Sequence, residues 1–359
     1  MLLSCQIADT PATQRLVKLW SNRYMPNLSS SPRAQDPDFF GELLKASSEE
    51  GRVITAQKLH EELIRLNCEF AMIQARALHE YIPTVMNLQE ARQVSQFSIA
   101  VYLELVKLYQ ERALISSSTF SKWETMVHDL PLSTWGIPDI AELAQAIEPL
   151  LLEYQEQYLS SSDWCLLGFM TTHFNFSGKV LLQKLTPVEQ LLIGPYFKFV
   201  EEQVALPWQR VCAAAAHHSL DSPILEVVEQ LMPQAESIAE TVYRQLLQDF
   251  PEHRSRRGGL DNPAVKHSCL RDLNMFQAYL WLCVLEDSLA PVEKELLMLC
   301  VMVMTRVGVP WEMTLRWNRY LMNEVLQRTS DSQRQIVLPY TQNIEQAFYR
   351  VRSRFGATD

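Results

Sequence analysis

Glycine is scarce in this chain: ten among 359 residues. Sheet-rich domains and phosphate-cradling loops need more, because tight turns and close backbone approach draw on glycine's freedom at positive φ. Strand-like alternation is equally hard to find, whereas leucine, alanine, glutamate and glutamine, all good helix formers, recur throughout. The expected fold class is all-α. Basic charge is also short. Thirty-two Lys+Arg stand against 42 Asp+Glu, a net charge of −10, so no broad cationic surface faces phosphates and nucleic acid is not an expected partner. No apolar run approaches the roughly 20 residues of a membrane-spanning helix; residues 295–305 form one of the longest and are broken on both sides. The seven cysteines (Cys5, Cys68, Cys165, Cys212, Cys269, Cys283 and Cys300) are odd in number and scattered, with no Cys-x-x-Cys pair. That pattern points to reduced thiols in a cytoplasm rather than to a disulfide framework. With 47% apolar and 21% charged residues, the composition is that of a soluble globular protein.

What is present is helical periodicity. A short helical pattern surrounds residues 13–20, a Ser/Pro-rich loop follows over 27–37, and a short helix is expected over 39–46. Residues 53–81 read as one amphipathic helix with Leu59, Leu63, Leu66, Phe70 and Ile73 on its buried face, ended by Pro83. A second long helix over 88–115 makes an antiparallel hairpin with it. After Ser116–Thr119 comes a short helix, a loop over 135–138 and another helix over 139–158. The serine run at 160–162 followed by Asp163 marks the expected domain boundary, giving an N-terminal helical domain over 1–158 and a C-terminal domain over 159–359. In the second half, Thr186-Pro-Val-Glu189 is a capping box with proline at the first helical position. Further helices are expected to start at Ser222-Pro223 and Ala290-Pro291, and others run over 310–326 and 333–355.

Chemistry-bearing constellations are few. His60 and His79 lie far apart on one helix, and the adjacent His217 and His218 point about 100° apart, so no metal site is expected. Phosphate loops, nucleophile–base pairs and metalloprotease motifs are missing, and an enzyme is not expected. Cys283 and Cys300 lie in apolar helical stretches and should be buried and inert, and Met298, Met302 and Met304 should fill core.

One stretch stands apart: His267-Ser-Cys-Leu-Arg-Asp-Leu-Asn-Met-Phe276. With Ser268 as N-cap, Cys269 and Asp272 share a face of the first turn and Phe276 continues it. A first-turn cysteine sits in the field of free N–H groups, which lowers its pKa, and Arg271 adds an anion fork beside it.

This string resembles the bilin-attachment segment of phycobiliproteins, especially allophycocyanin α-type chains. Pro291 and Glu293 fall where that family begins its next helix. The resemblance covers roughly residues 160–359 and is specific around 269–293; the N-terminal half resembles no recognised family. It implies a globin-like C-terminal domain carrying a phycocyanobilin-like open-chain tetrapyrrole. Cys269 would form the thioether, Arg271 pair with a propionate, Asp272 accept the central pyrrole N–H bonds, and Phe276 line the pigment. Arg254, Arg256, Arg257 or Lys266 would offer a further propionate contact. The sequence departs from the family where Met275-Phe276 replaces a tyrosine pair. Haem is not implied, since no histidine follows His267. The resemblance further implies phycobiliprotein or other phycobilisome subunits as partners, with self-association open, and a cytoplasmic place at the thylakoid surface through the phycobilisome. The long N-terminal extension points to an accessory role in light harvesting, assembly, turnover or bilin handling rather than an ordinary antenna subunit. A chromophore-free globin-like scaffold or regulator that binds phycobiliprotein subunits stands as the alternative.

Overall fold

A computed structural model describes residues 7–25, 38–79, 88–111, 140–158, 164–304 and 307–352. The readings made for residues 27–37, 116–138 and 160–163 lie outside the described residues. The fold is all-α as expected; the strand content among the described residues is one antiparallel ribbon, Arg254–Ser255 with Gly258–Gly259.

The chain divides into two compact units: Ser21–Val204, and Ala205–Asp359 together with Cys5–Trp20. The division therefore falls at Val204 and Ala205, not at the expected 158/159. The helices that follow the serine run pack with those that precede it, and the reason is a set of buried polar and aromatic contacts.

In the Ser21–Val204 unit the helices are α2 (Phe39–Ser47), α3 (Glu49–Lys58), α4 (Glu61–His79), α5 (Leu88–Glu111), α6 (Ile140–Tyr158), α7 (Trp164–Leu182) and α8 (Pro187–Gln203); the division between Trp20 and Ser21 falls within α1 (Pro11–Asn22). The single helix expected over 53–81 is two, because the backbone leaves the helix at Leu59 (φ −107°, ψ 40°). Tyr102 of α5 donates its hydroxyl to the Phe174 carbonyl of α7 at 3.1 Å, and its ring stacks on Phe197 of α8. His173 of α7 is fully buried with Nε2 2.9 Å from the Cys68 carbonyl of α4. The capping box at α8 forms as read: Thr186 Oγ1 accepts the Glu189 N–H and the Glu189 carboxylate accepts the Thr186 N–H at 2.8 Å. The same carboxylate holds Lys58 Nζ at 2.7 Å.

The face of α4 is a second correction. Ile64, Cys68, Ala71 and Ala75 are buried, whereas Leu66, Phe70 and Ile73 are 65%, 51% and 60% exposed. Small side chains on the buried face let α5 and α7 approach closely, and periodicity counted from large residues picks the other stripe.

The second unit holds α9 (Trp208–Ala214), α10 (Pro223–Leu231), α11 (Ala235–Asp249), α12 (Pro263–Glu286), a π-helical turn over Val292–Leu296 continuing into α13 (Leu297–Val303), α14 (Trp311–Gln327) and α15 (Asp331–Val351). Helix α12 is central, buried from Leu273 to Leu285 against α9, α10, α11 and α15. It ends at Asp287 in the left-handed region (φ 46°), where Tyr340 of α15 donates to Asp287 Oδ1 at 2.6 Å. Among the described residues no helix is long and apolar enough to cross a membrane.

Candidate functional site

Helix α12 begins earlier than expected. Asn262, not Ser268, is its N-cap: Asn262 Oδ1 accepts the Ala264 N–H at 2.8 Å, and Pro263 takes the first helical position. Asparagine followed by proline is the stronger start signal, since the cap satisfies an orphan donor and proline forfeits none. Ser268 sits inside the helix, donating to the Ala264 carbonyl at 3.1 Å. Cys269 therefore lies nearly two turns in, beyond the first-turn field on which a lowered pKa depended.

The thiol behaves accordingly. Cys269 is 9% exposed. Burial pushes its pKa up, the Asp272 carboxylate adds to the rise, and the Arg271 and Arg257 guanidinium groups pull against them; the balance stands at about 12. The expected depression is thus reversed, because removing a thiolate from water outweighs two nearby cations.

Arg271 and Asp272 are brought together, chiefly with each other. Arg271 donates from Nε and Nη2 to Asp272 Oδ1 at 3.1 and 2.7 Å. Their side chains are 14% and 21% exposed, so the pair is half-sheltered and neutral as a unit.

A second guanidinium arrives from the basic loop. The Arg254–Gly259 ribbon turns tightly through Gly258, whose φ of 119° few other residues adopt. The Arg256 N–H donates to the Val307 carbonyl at 3.0 Å, fastening the ribbon to the turn before Gly308. Arg257 is thereby aimed at α12, where its Nη1 donates to Ser268 Oγ at 2.9 Å. Of the four basic residues considered for this role, Arg257 is the one that reaches the start of the motif. Lys266 instead pairs with Glu240 at 3.0 Å and lies over the Tyr243 ring. Tyr243 of α11 is a neighbour that sequence reading missed: its hydroxyl donates to the Leu260 carbonyl, and the burial that raises its pKa is reinforced by Cys269. Nothing in its sequence context separates it from any other helical tyrosine.

Phe276 shares the helix face of Cys269 but is enclosed, 1% exposed, between Trp317 of α14 (ring centroids 5.3 Å) and Phe348 of α15 (5.4 Å). Met275 beside it is also buried. Deeper along α12, Tyr279 donates to Glu295 Oε2 at 3.0 Å, and Arg210 Nη1 donates to both oxygens of that carboxylate at 2.9 and 2.8 Å. Cys283 and Cys300 are fully buried. His218 is half-buried, with Nε2 2.8 Å from the Leu285 carbonyl. Among the described residues no group of three or more His, Cys, Asp or Glu side chains is placed to hold a metal.

The site is thus a sheltered thiol flanked by two guanidinium groups and one carboxylate, on a helix whose far side is solid core. Residues 214–348, which contain all of these groups, match the model of the phycobilisome protein family. No curated protein and no solved structure matches the chain significantly. The family match accords with the all-α architecture, and over residues 214–348 the chain is similar to a globin-like, phycobilisome-type domain.

Proposed function

We propose, from the premise that residues 214–348 are a phycobilisome protein domain, that this domain takes an open-chain tetrapyrrole at Cys269 and serves the phycobilisome as an accessory protein. One observation carries the reading: Arg257, Arg271 and Asp272 gather about the Cys269 sulfur within a single stretch of α12 and the ribbon packed on it. A bilin, when bound, supplies absorption of visible light. It also presents protonated pyrroles and anionic propionates at once.

The donor set fits such a group in kind. Arg271 and Asp272 now neutralise each other at 2.7 Å. A ligand with both charges can replace both partners together, the carboxylate turning to pyrrole N–H groups and the guanidinium to a propionate, so neither half-buried charge is left alone. Arg257 offers a second propionate partner. Cys269 would carry the thioether, and Phe276, held by Trp317 and Phe348, would support the floor rather than offer a free stacking face. The role is binding rather than catalysis. The partners proposed are phycobiliprotein subunits, at the cytoplasmic face of the thylakoid, in light harvesting or in assembly, turnover or bilin handling.

The test is co-expression with bilin-synthesising enzymes and lyases, followed by denaturing electrophoresis and zinc-enhanced fluorescence. Pigment that survives denaturation in the wild type and is lost in Cys269→Ala is expected. Colourless protein under a competent bilin supply would overturn attachment.

A second reading has its own observation. The thiol is 9% exposed and held near 12, which suits a chromophore-free domain that keeps the family architecture in order to bind phycobiliprotein subunits. Colourless protein that still captures those subunits in a pull-down supports it; failure to capture any of them removes it.

A further inference from the structure

Helix α4 carries a large apolar stripe on the side away from its core face, in the unit that the family match does not reach. Leu66, Phe70 and Ile73 are more than half exposed, Ala77 is exposed and Leu63 is half-buried. Their spacing alternates between three and four residues from 63 to 77. That places Leu63, Phe70 and Ala77 at the a positions and Leu66 and Ile73 at the d positions of a heptad. The buried Ile64, Cys68, Ala71 and Ala75 fall at b and f. The helix therefore meets its own unit on one side and presents a coiled-coil seam on the other. The exposed stripe amounts to a few hundred Å², the range in which an apolar patch marks an interaction site.

Charge along the edge of the seam selects the occupant. Glu69 and Arg76, both exposed, hold successive g positions, and among the described residues no ion pair holds either one. A parallel second helix would set them against the uncharged e residues Asn67 and Gln74 and pair neither. An antiparallel copy of α4, with the two-fold axis between Ala71 and Met72, sets each Glu69 against Arg76 of the second copy, twice by symmetry. In the same register Phe70 meets Ile73 of the second copy, and Leu66 meets its Ala77, large against small.

We propose that this seam is a self-association surface on which a second copy of the chain docks its own α4 antiparallel, closed at both ends by Glu69–Arg76 pairs. The seam offers about half of the roughly 800 Å² per partner of a standard interface, so the dimer forms in the micromolar range.

The test is sedimentation velocity of the full-length chain from low micromolar to several hundred micromolar, where a reversible monomer–dimer equilibrium is expected. Glu69→Arg and Arg76→Glu each set like charges face to face at both ends of the seam, and each should weaken the dimer about tenfold. Mixed in equal amounts, the two variants present opposite charges to one another, and wild-type affinity should return as a heterodimer. Phe70→Glu should abolish association. All three positions are exposed, so helical circular dichroism should match the wild type. A chain that stays monomeric throughout would overturn the proposal and leave the stripe to a different protein or to another segment of the same chain. Association that survives Phe70→Glu, that is unchanged in the single charge variants, or that fails to recover in their mixture would overturn it too.

Discussion

Alkylation of Cys269 should be slow, and tunable by its charged neighbours. Burial and the Asp272 carboxylate bring this thiol from 9.0 to about 12. At pH 8 the thiolate fraction then falls from roughly one in ten to roughly one in ten thousand, about a thousandfold. A more basic thiolate is a better nucleophile, and a Brønsted slope of about 0.4–0.5 over three units returns roughly 15- to 30-fold. The net expectation is alkylation roughly 30- to 60-fold slower than for the same cysteine in the denatured chain, before any steric shielding. Asp272→Asn removes a carboxylate that raises the pKa and releases Arg271, which lowers it, so labelling should accelerate. If the thiol drops by about one unit, the gain is roughly threefold after the loss in nucleophilicity. Arg257→Gln removes a cation and should slow labelling. The assay is timed iodoacetamide labelling at pH 8 with the modified peptide identified by mass. Native Cys269 reacting as fast as in urea, or Asp272→Asn slowing the reaction, would refute the electrostatic account of this site.

Three further expectations follow from buried groups. Burial lowers the His173 pKa from 6.5 to about 4, so the neutral form stabilises the Ser21–Val204 unit above pH 6.5 and that contribution is lost as pH falls. Roughly 2 kcal/mol should be gone by pH 5 and roughly 3 by pH 4, and urea unfolding at pH 7 and 5 that shows no difference would contradict it. Cys68, Cys269 and Cys283 are each raised to about 12; their stabilisation is full below pH 9 and is lost as pH rises toward 12. About 1.4 kcal/mol per thiol should be missing by pH 10, visible as falling Tm in alkaline buffer, and a cysteine-to-alanine variant with the same alkaline slope as wild type would count against that thiol. Phe276→Ala should cost roughly 3–5 kcal/mol and alter Trp317 fluorescence, since the two rings are in edge contact; a loss under about 1 kcal/mol would mean the aromatic cluster is not a packed core.

Helix content and the motif itself were legible from residues because they rest on local signals. The Thr186–Glu189 capping box needs only four consecutive side chains, and both of its hydrogen bonds form. The start of α12 was misplaced because Ser268 and Asn262 are both competent caps, and only the chain's path decides which one closes the first turn. The α4 face failed for a related reason: Cys68, Ala71 and Ala75 weigh little in a count of large apolar residues, yet their small volume is what makes close helix contact possible. The domain boundary failed because a serine run signals a break in a helix, not a break in packing. The thiol's direction of shift was beyond reach, since it depends on how much water reaches the sulfur. Arg257 could be named among four basic residues, but singling it out required the bond from Arg256 to Val307 that fixes the ribbon.

The Asn262 cap has a consequence for how Cys269 could ever meet a reagent or a ligand. Helix ends unravel from the tip, and the opening turn of α12 is spent on Pro263 to Lys266, so spontaneous breathing stops short of the sulfur. Uncovering it must instead come from its neighbours stepping aside, with the Arg271–Asp272 clasp and the Arg257 strap as the parts that swing. Control over that residue's chemistry would then rest with whatever loosens those parts.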